Sequence, residues 1–265
     1  MKHTVSSLFE ALWQDYLQQC PSAAKVHRLL GGGEALLNDH VAFRTFALPG
    51  IGLDALAAHF LALGYEAKGE YEFKQKKLFA RHFEHPDPRA PKVFISELLL
   101  GQCSEALQRT VKSLVAQLPA EAAKADDFLY SGAVWRVSQA EYQALLAESE
   151  YAAWLAAFGY RANHFTVNVN ALSRFETLES VNAALKAAGF ALNASGGEIK
   201  GSPQVLLEQS STLADKVDVA FSDASLYIPA CFYEFARRYP QADGELYSGF
   251  VAASADKIFE STDAR

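Results

Sequence analysis

Asp39-His40-Val41-Ala42-Phe43-Arg44-Thr45-Phe46 is the stretch that decides the fold, because it is answered 124 positions later by Asn163-His164-Phe165-Thr166-Val167-Asn168-Val169-Asn170. After each comes a helix-like run ending in Gly-aromatic, Leu53 to Gly64-Tyr65 and then Leu178 to Gly189-Phe190, at an offset of 125. A near-constant offset over successive elements marks an internal repeat. Near the end of the first copy, Phe94-Ile95-Ser96-Glu97 finds a counterpart in Phe232-Tyr233-Glu234 of the second. Two modules built alike can pair their first strands around a pseudo-twofold axis, which lets His40 and His164 face one another. With one glutamate they form two imidazoles and a carboxylate, the ligand set of a metal centre with open positions.

Working outward, the pattern predicts a helix over 6–30, where Phe9, Leu12, Trp13, Tyr16 and Leu17 recur at helical spacing. Gly31-Gly32-Gly33 ends it; without a preceding strand or a following Lys-Ser/Thr the triplet reads as a loop, not a phosphate cradle. A strand at 40–47, a helix at 53–63 and extended runs near 65–72, 77–84 and 92–99 make the first module β-α-β-β-β. A helical insertion follows at about 102–117, then a helix at 139–158 whose Ser138-Gln139-Ala140-Glu141 start fits a capping box. The second module runs through a strand at 164–170, a helix at 175–188, extended stretches near 190–200 and 203–209, and a strand around 230–236. The expected class is α+β: two tandem β-α-β-β-β modules forming one cupped sheet. We divide the single domain into an N-terminal helix and Gly loop (1–33), module one (34–100), the helical insertion (101–160), module two (161–240) and a polar tail (241–265). A Rossmann domain would alternate single strands with helices and open on a Gly-rich turn.

The 265 residues, 50% hydrophobic, suffice for a full core. A net charge of −7 gives no electrostatic footprint for nucleic acid; the one basic cluster, Lys74, Lys76, Lys77 and Arg81, is interleaved with apolar residues at a strand edge. The N-terminus lacks the apolar stretch of a signal peptide, and no run approaches a membrane span, so the expectation is a cytoplasmic protein. Cys20, Cys103 and Cys231, odd in number and widely spaced, read as buried apolar residues.

His40 and His164 are the candidate metal ligands, and imidazole nitrogen suits iron, zinc, manganese or nickel. Glu234, on the last strand of module two, is the preferred third ligand, with Glu97 its rival; if the cup is pseudo-symmetric, both glutamates could reach the centre and make a two-His-two-Glu set. His82 and His85 point to opposite faces of a strand, while His3, His27 and His59 fall in the tail or on helices. Arg44, four residues after His40, shares its strand face and could grip a carboxylate beside the metal; the alternative is a salt bridge to an acidic residue of the cavity wall. Gln209-Ser210-Ser211-Thr212 offers uncharged hydrogen-bonding groups to a ligand, with Gln209 and Ser210 as candidate substrate contacts, or is a hydroxyl-rich turn. A Gly-x-Ser-x-Gly elbow is absent.

Asp39 to Phe46, Asn163-His164-Phe165-Thr166, Gln209-Ser210-Ser211-Thr212 and Tyr233-Glu234-Phe235 resemble the motifs of the 2-oxoadipate dioxygenase/decarboxylase family, related to the vicinal oxygen chelate superfamily. The similarity spans about 35 to 240. The resemblance implies a cupped, vicinal-oxygen-chelate-like sheet and an Fe(II)-dependent conversion of 2-oxoadipate with O2 to 2-hydroxyglutarate and CO2, in lysine catabolism. It also implies His40, His164 and Glu234 as metal ligands and Arg44 as the catalytic, substrate-carboxylate arginine. Two other readings stay open. One is a non-redox hydrolase or isomerase in which Zn, Ni or Mn acts as Lewis acid; the other is a metal-free protein that binds a small acid. A homodimer is compatible with each.

Overall fold

The computed structural model describes residues 3–32 and 34–262. Its strands are β1 (Asn38–Phe46), β2 (Glu66–Phe73), β3 (Leu78–Glu84), β4 (Lys92–Leu98), β5 (Ala162–Asn168), β6 (Lys200–Ser202), β7 (Leu207–Ser211), β8 (Lys216–Ala220), β9 (Ser225–Pro229) and β10 (Phe232–Arg238). Eight of them form one sheet in the order β2-β3-β4-β1-β5-β10-β7-β6, and β8 with β9 makes a separate hairpin. The helices are α1 (Val5–Gln19), α2 (Ala23–Gly31), α3 (Leu53–Leu61), α4 (Glu105–Val115), α5 (Gln139–Glu148), α6 (Glu150–Phe158), α7 (Leu178–Ala187) and α8 (Ala252–Ile258).

The expected tandem architecture is present. In each half the first strand pairs in parallel with the last, β1 with β4 and β5 with β10, while the two first strands meet antiparallel. His40 lies opposite Thr166 and Ala42 opposite His164. Ala42 and Thr166 each stand two residues after their own module's histidine, so this register maps onto itself when the modules are exchanged. The pseudo-twofold axis therefore passes between Val41 and Phe165, which face one another.

Side-chain alternation then sorts the central strands into two faces. On the convex face Phe165 packs on Trp13 and Tyr16 of α1, with ring centroids 5.0 and 4.9 Å apart, and Phe43 meets Phe60 of α3 at 5.4 Å. Burying each such ring stabilises the fold by roughly 1.5–3 kcal/mol. The concave face carries His40, Ala42, Arg44 and His164 into a common cavity.

Several expected boundaries are corrected. The helix expected over 6–30 is two, because Pro21 has no amide hydrogen with which to continue α1. Gly32 closes α2 in the left-handed region, at φ 59°; Gly33 lies outside the described residues. The helix expected over 139–158 breaks at Ser149, which ends α5 and caps α6 by accepting from the Ala152 amide. The run expected over 190–200 is strand only from Lys200, since Gly196 and Gly197 both take positive φ and turn the chain. The hairpin β8–β9 is an addition to the expected module. The segment read as a polar tail instead folds back: Phe250, Ala255, Ile258 and Phe259 fill the mouth of the cup. No described helix is long and apolar enough to cross a membrane. Cys20, Cys103 and Cys231 are free and buried.

Candidate metal centre

His40, His164 and Glu234 converge, and one ligand atom from each lies within 4.8 Å of the others. The register explains this. Glu234 sits beside Thr166 on the strand next to β5, so it joins the histidines on the concave face. All three are buried. The imidazole planes stand nearly perpendicular, with centroids 5.5 Å apart.

Each histidine is oriented by the residue before it. His40 Nδ1 donates to Asp39 Oδ1 at 2.8 Å, and His164 Nδ1 to Asn163 Oδ1 at 3.1 Å. This network assigns the proton to Nδ1 and turns both Nε2 lone pairs inward. Asp39 is itself gripped by Arg238, through Nε to Oδ2 at 2.7 Å and Nη2 to Oδ1 at 2.9 Å. Burial alone would raise the Asp39 carboxyl, but the Arg238 charge and the His40 hydrogen bond hold it far below the carboxylate range. Arg238 Nη1 also donates to the carbonyls of Tyr247 and Gly249. The pair thus ties a metal-ligand candidate to the segment bearing Phe250, whose ring meets His40 at 4.8 Å.

Glu234 accepts from Gln209 Nε2 at 2.6 Å through Oε1. Its Oε2 is buried, has no hydrogen-bond partner among the described residues, and lies 3.1 Å from His164 Nε2. His40 Nε2 accepts from the Thr166 hydroxyl at 3.1 Å, which leaves the His164 Nε2 lone pair and Glu234 Oε2 as acceptors facing one another, an arrangement that a shared cation satisfies and that costs free energy without one. Burial raises the Glu234 carboxyl, while positive charge at the His40 and His164 positions and the Gln209 hydrogen bond lower it, with a net downward direction; a cation held between neutral rings acts on the carboxylate in the same sense. Burial keeps the His164 imidazole below its usual value, in the neutral form that ligation requires. The residues present fit a divalent metal ion.

Glu97 is elsewhere. Its Oε2 accepts from the Leu53 amide at 2.8 Å, capping α3 where the N-cap residue Gly52 has no side chain to do so. The correspondence expected between Glu97 and Glu234 also shifts: Lys92 lies beside His40 as Phe232 lies beside His164, so the true counterpart of Glu234 is Phe94. Phe94 lines the cavity wall.

Arg44 is buried on the concave face, its guanidinium carbon 5.0 Å from the Tyr151 ring centroid, 4.9 Å from Trp154 and 5.7 Å from Phe259. It donates through Nη1 to Glu150 and through Nη2 to Thr262 Oγ1, so the cavity-wall salt bridge read as its alternative partner exists in this state. Gln209 lines the cavity through its bond to Glu234. Ser210 departs from expectation: alternation turns it to the convex face, where its hydroxyl donates to Asn182 of α7. Ser211, one residue on, faces inward and bonds Ser261 at 2.9 Å. His82, set aside in the sequence, is held between Tyr71 Oη and Glu84.

Asp39, Asn163, Arg238, Phe250, Glu150 and Thr262 were not singled out in the sequence. The repeated acid-or-amide before each histidine was a usable signal for the first two; the others come from distant segments.

A family model for 2-oxoadipate dioxygenase/decarboxylase matches residues 3–245. The chloroplastic 2-oxoadipate dioxygenase/decarboxylase of Arabidopsis thaliana is 36% identical over 275 residues, covering 93% of this chain and 74% of that protein. Among solved structures, a protein of Shewanella frigidimarina NCIMB 400, described only provisionally as a hydrolase, is 61% identical, covers 96% of this chain and 100% of its own, and superposes with a TM-score of 0.92. The Oryza sativa hydroxyglutarate synthase, solved in complex with 2-oxoadipate, is 32% identical with a TM-score of 0.88, over 96% of this chain and 90% of that one. With the family model spanning nearly its whole length, the chain belongs to the 2-oxoadipate dioxygenase/decarboxylase family.

Proposed function

We propose that this protein is an Fe(II)-dependent dioxygenase/decarboxylase of a 2-oxo dicarboxylic acid, converting 2-oxoadipate and O2 to 2-hydroxyglutarate and CO2, a step of lysine breakdown in the cytoplasm. Three free, buried cysteines suit a reducing compartment. The observation that carries the reading is Arg44: a buried cation on the strand face of His40, in the same cavity as the triad.

His40, His164 and Glu234 would hold the metal, and two imidazoles with one carboxylate are the donor set associated with non-haem Fe(II) oxygenases. When bound, the metal supplies the redox chemistry and open positions for a 2-oxo acid and O2. The chain's own residues do the rest. Asp39 and Asn163 fix the ring orientations, and Gln209 fixes that of the Glu234 carboxylate. Arg44 meets the distal carboxylate with a planar fork that a lysine lacks. Phe94, Phe250, Ile258 and Phe259 leave a cavity of only about 20 Å³, room for about one water. Solvent is thereby excluded, and a substrate must displace some of these side chains to seat. The stoichiometry balances: C1 leaves as CO2, C2 becomes the new carboxylate, C3 takes the hydroxyl, and both oxygen atoms of O2 are consumed.

The hydrolase description of the Shewanella relative favours one competitor, a non-redox reaction with the metal as Lewis acid. Anaerobic reconstitution with Fe(II) followed by an oxygen-electrode assay against 2-oxo acids of graded length separates the two. Uptake of O2 with release of CO2 is expected for the six-carbon diacid, and Arg44→Met should abolish that uptake with metal content intact. Turnover supported by Zn²⁺ and indifferent to O2 would sink the proposal.

A further inference from the structure

Two buried arginines in this protein hold carboxylates in different ways. Arg238 grips Asp39 through two nitrogens, at 2.7 and 2.9 Å, and the Asp39 side chain is 3% exposed. Arg44 meets Glu150 through Nη1 alone, at 3.2 and 3.4 Å, and the Glu150 side chain is 14% exposed. Its Nε is buried with no hydrogen-bond partner among the described residues. The first is the bidentate geometry of a permanent pair; the second is long, single-nitrogen and incomplete.

Glu150 is the first residue of α6 and stands in a wall between two cavities. On one side lies the Arg44 chamber. On the other is a cavity of about 280 Å³ bordered by Lys76, Lys77, Glu148 and Glu260, with Tyr151 and Phe259 in its wall. The lysines there are not tightly committed: Lys77 is 3.5 Å from Glu148, and Lys76 is 3.7 Å from Asp256 and 4.0 Å from Glu260. A carboxylate leaving Arg44 on this side would enter a larger space, bordered by two loosely paired lysines and by the carboxylates of Glu148 and Glu260.

We propose that Glu150 is a specificity-determining residue, a resident carboxylate that occupies Arg44 in the absence of substrate and yields it to the distal carboxylate of a 2-oxo diacid. A buried guanidinium without a counter-charge is costly, and exchanging one carboxylate for another keeps Arg44 neutralised before and after. A 2-oxo monoacid brings nothing to exchange, so the Arg44–Glu150 pair stays in place. The inference rests on the reading that Arg44 receives the distal carboxylate.

The test is calorimetric titration of the Fe(II)-loaded protein under strict anaerobiosis, with 2-oxoadipate and with 2-oxohexanoate, a monoacid of equal length. For Glu150→Gln, 2-oxoadipate should bind tighter by on the order of tenfold, because one charge-assisted contact no longer competes. Binding of 2-oxohexanoate should be unchanged, and Glu150→Asp, which keeps the charge, should stay close to the wild type for both ligands. The ligand-free Tm of Glu150→Gln should fall, and 2-oxoadipate should raise it by more than it raises that of the wild type. Equal or weaker diacid binding in Glu150→Gln, beside a wild type that prefers the diacid, overturns this inference alone. A wild type that does not discriminate the two acids overturns the Arg44 reading as well. Should Glu150→Gln fail to fold, a structure of the wild type with 2-oxoadipate decides: the Glu150 to Arg44 contact is expected to be broken, and its persistence refutes the exchange.

Discussion

Replacing Asp39 by asparagine tests how the candidate metal centre is held. The change is nearly isosteric and leaves an oxygen able to accept from His40 Nδ1, as Asn163 does for His164. What it removes is the charge that Arg238 binds at 2.7 and 2.9 Å, with both side chains almost fully buried. Breaking such a pair from one side costs about 3–5 kcal/mol, most of it the stranded cation. Arg238 keeps its bonds to the carbonyls of Tyr247 and Gly249, which places the expected loss at the low end, about 3 kcal/mol. Metal affinity should fall by roughly 10–100-fold, because His40 loses the anionic partner that raises its basicity. The assay is urea denaturation of Asp39→Asn, Arg238→Met and the double variant, each with a chelator competition for the metal. Since removing both charges strands neither, the double variant should be more stable than the sum of the singles predicts, by about 1–3 kcal/mol. Additive losses with unchanged metal affinity would show that the pair neither acts as a unit nor supports His40.

Glu234→Gln should abolish metal retention by elemental analysis, whereas Glu97→Ala should retain the metal and lose about 0.5–2 kcal/mol of stability, the usual cost of a lost helix cap. Phe250→Ala removes a ring packed on His40, Phe94 and His82; it should cost about 3–5 kcal/mol and speed metal release to a chelator. Burial would raise the Glu84 carboxyl, but its hydrogen bond with His82 and the charge of Lys92 bring it down to about 2 from 4.5. A depressed carboxylate contributes stability that is fully present above pH 4.5 and disappears as pH falls toward 2, so Glu84→Gln should flatten the acid limb of the stability curve in that window by up to about 3 kcal/mol. An acid limb identical to that of the wild type would show that the Glu84 interactions do not support the fold.

Much of this was legible because the repeat carries its own geometry. A fixed offset between His40 and His164 is a statement about a twofold register, and the period of two in β1 correctly put His40 and Arg44 on one face. In β7 the same period of two separates Gln209 and Ser211, which face the cavity, from Ser210, which faces α7. The pairing of Glu97 with Glu234 failed because similarity of short motifs does not fix strand register; backbone pairing does, and it puts Phe94 at the equivalent place. The helix breaks at Pro21 and Ser149 were visible as residue types but lost inside long apolar periodicity. The return of residues 250–262 over the cup, and the contacts Arg238–Asp39 and Arg44–Glu150, join segments about 100–200 positions apart, a range at which one sequence carries no pairing signal.

Phe94 in the place of Glu234 gives the chamber a direction. A centre on a true twofold axis, as in a dimer of identical modules, must offer the same groups to both sides, and a chain-like guest could lie in it either way round. Joining the modules in one polypeptide lets each half mutate alone. Here one half carries the carboxylate while the other has an aromatic ring at the equivalent position of the chamber that Arg44 also lines. A molecule with two unlike ends then has one head and one tail position, and the selection of the end to be cut is written into the difference between two halves built on the same plan.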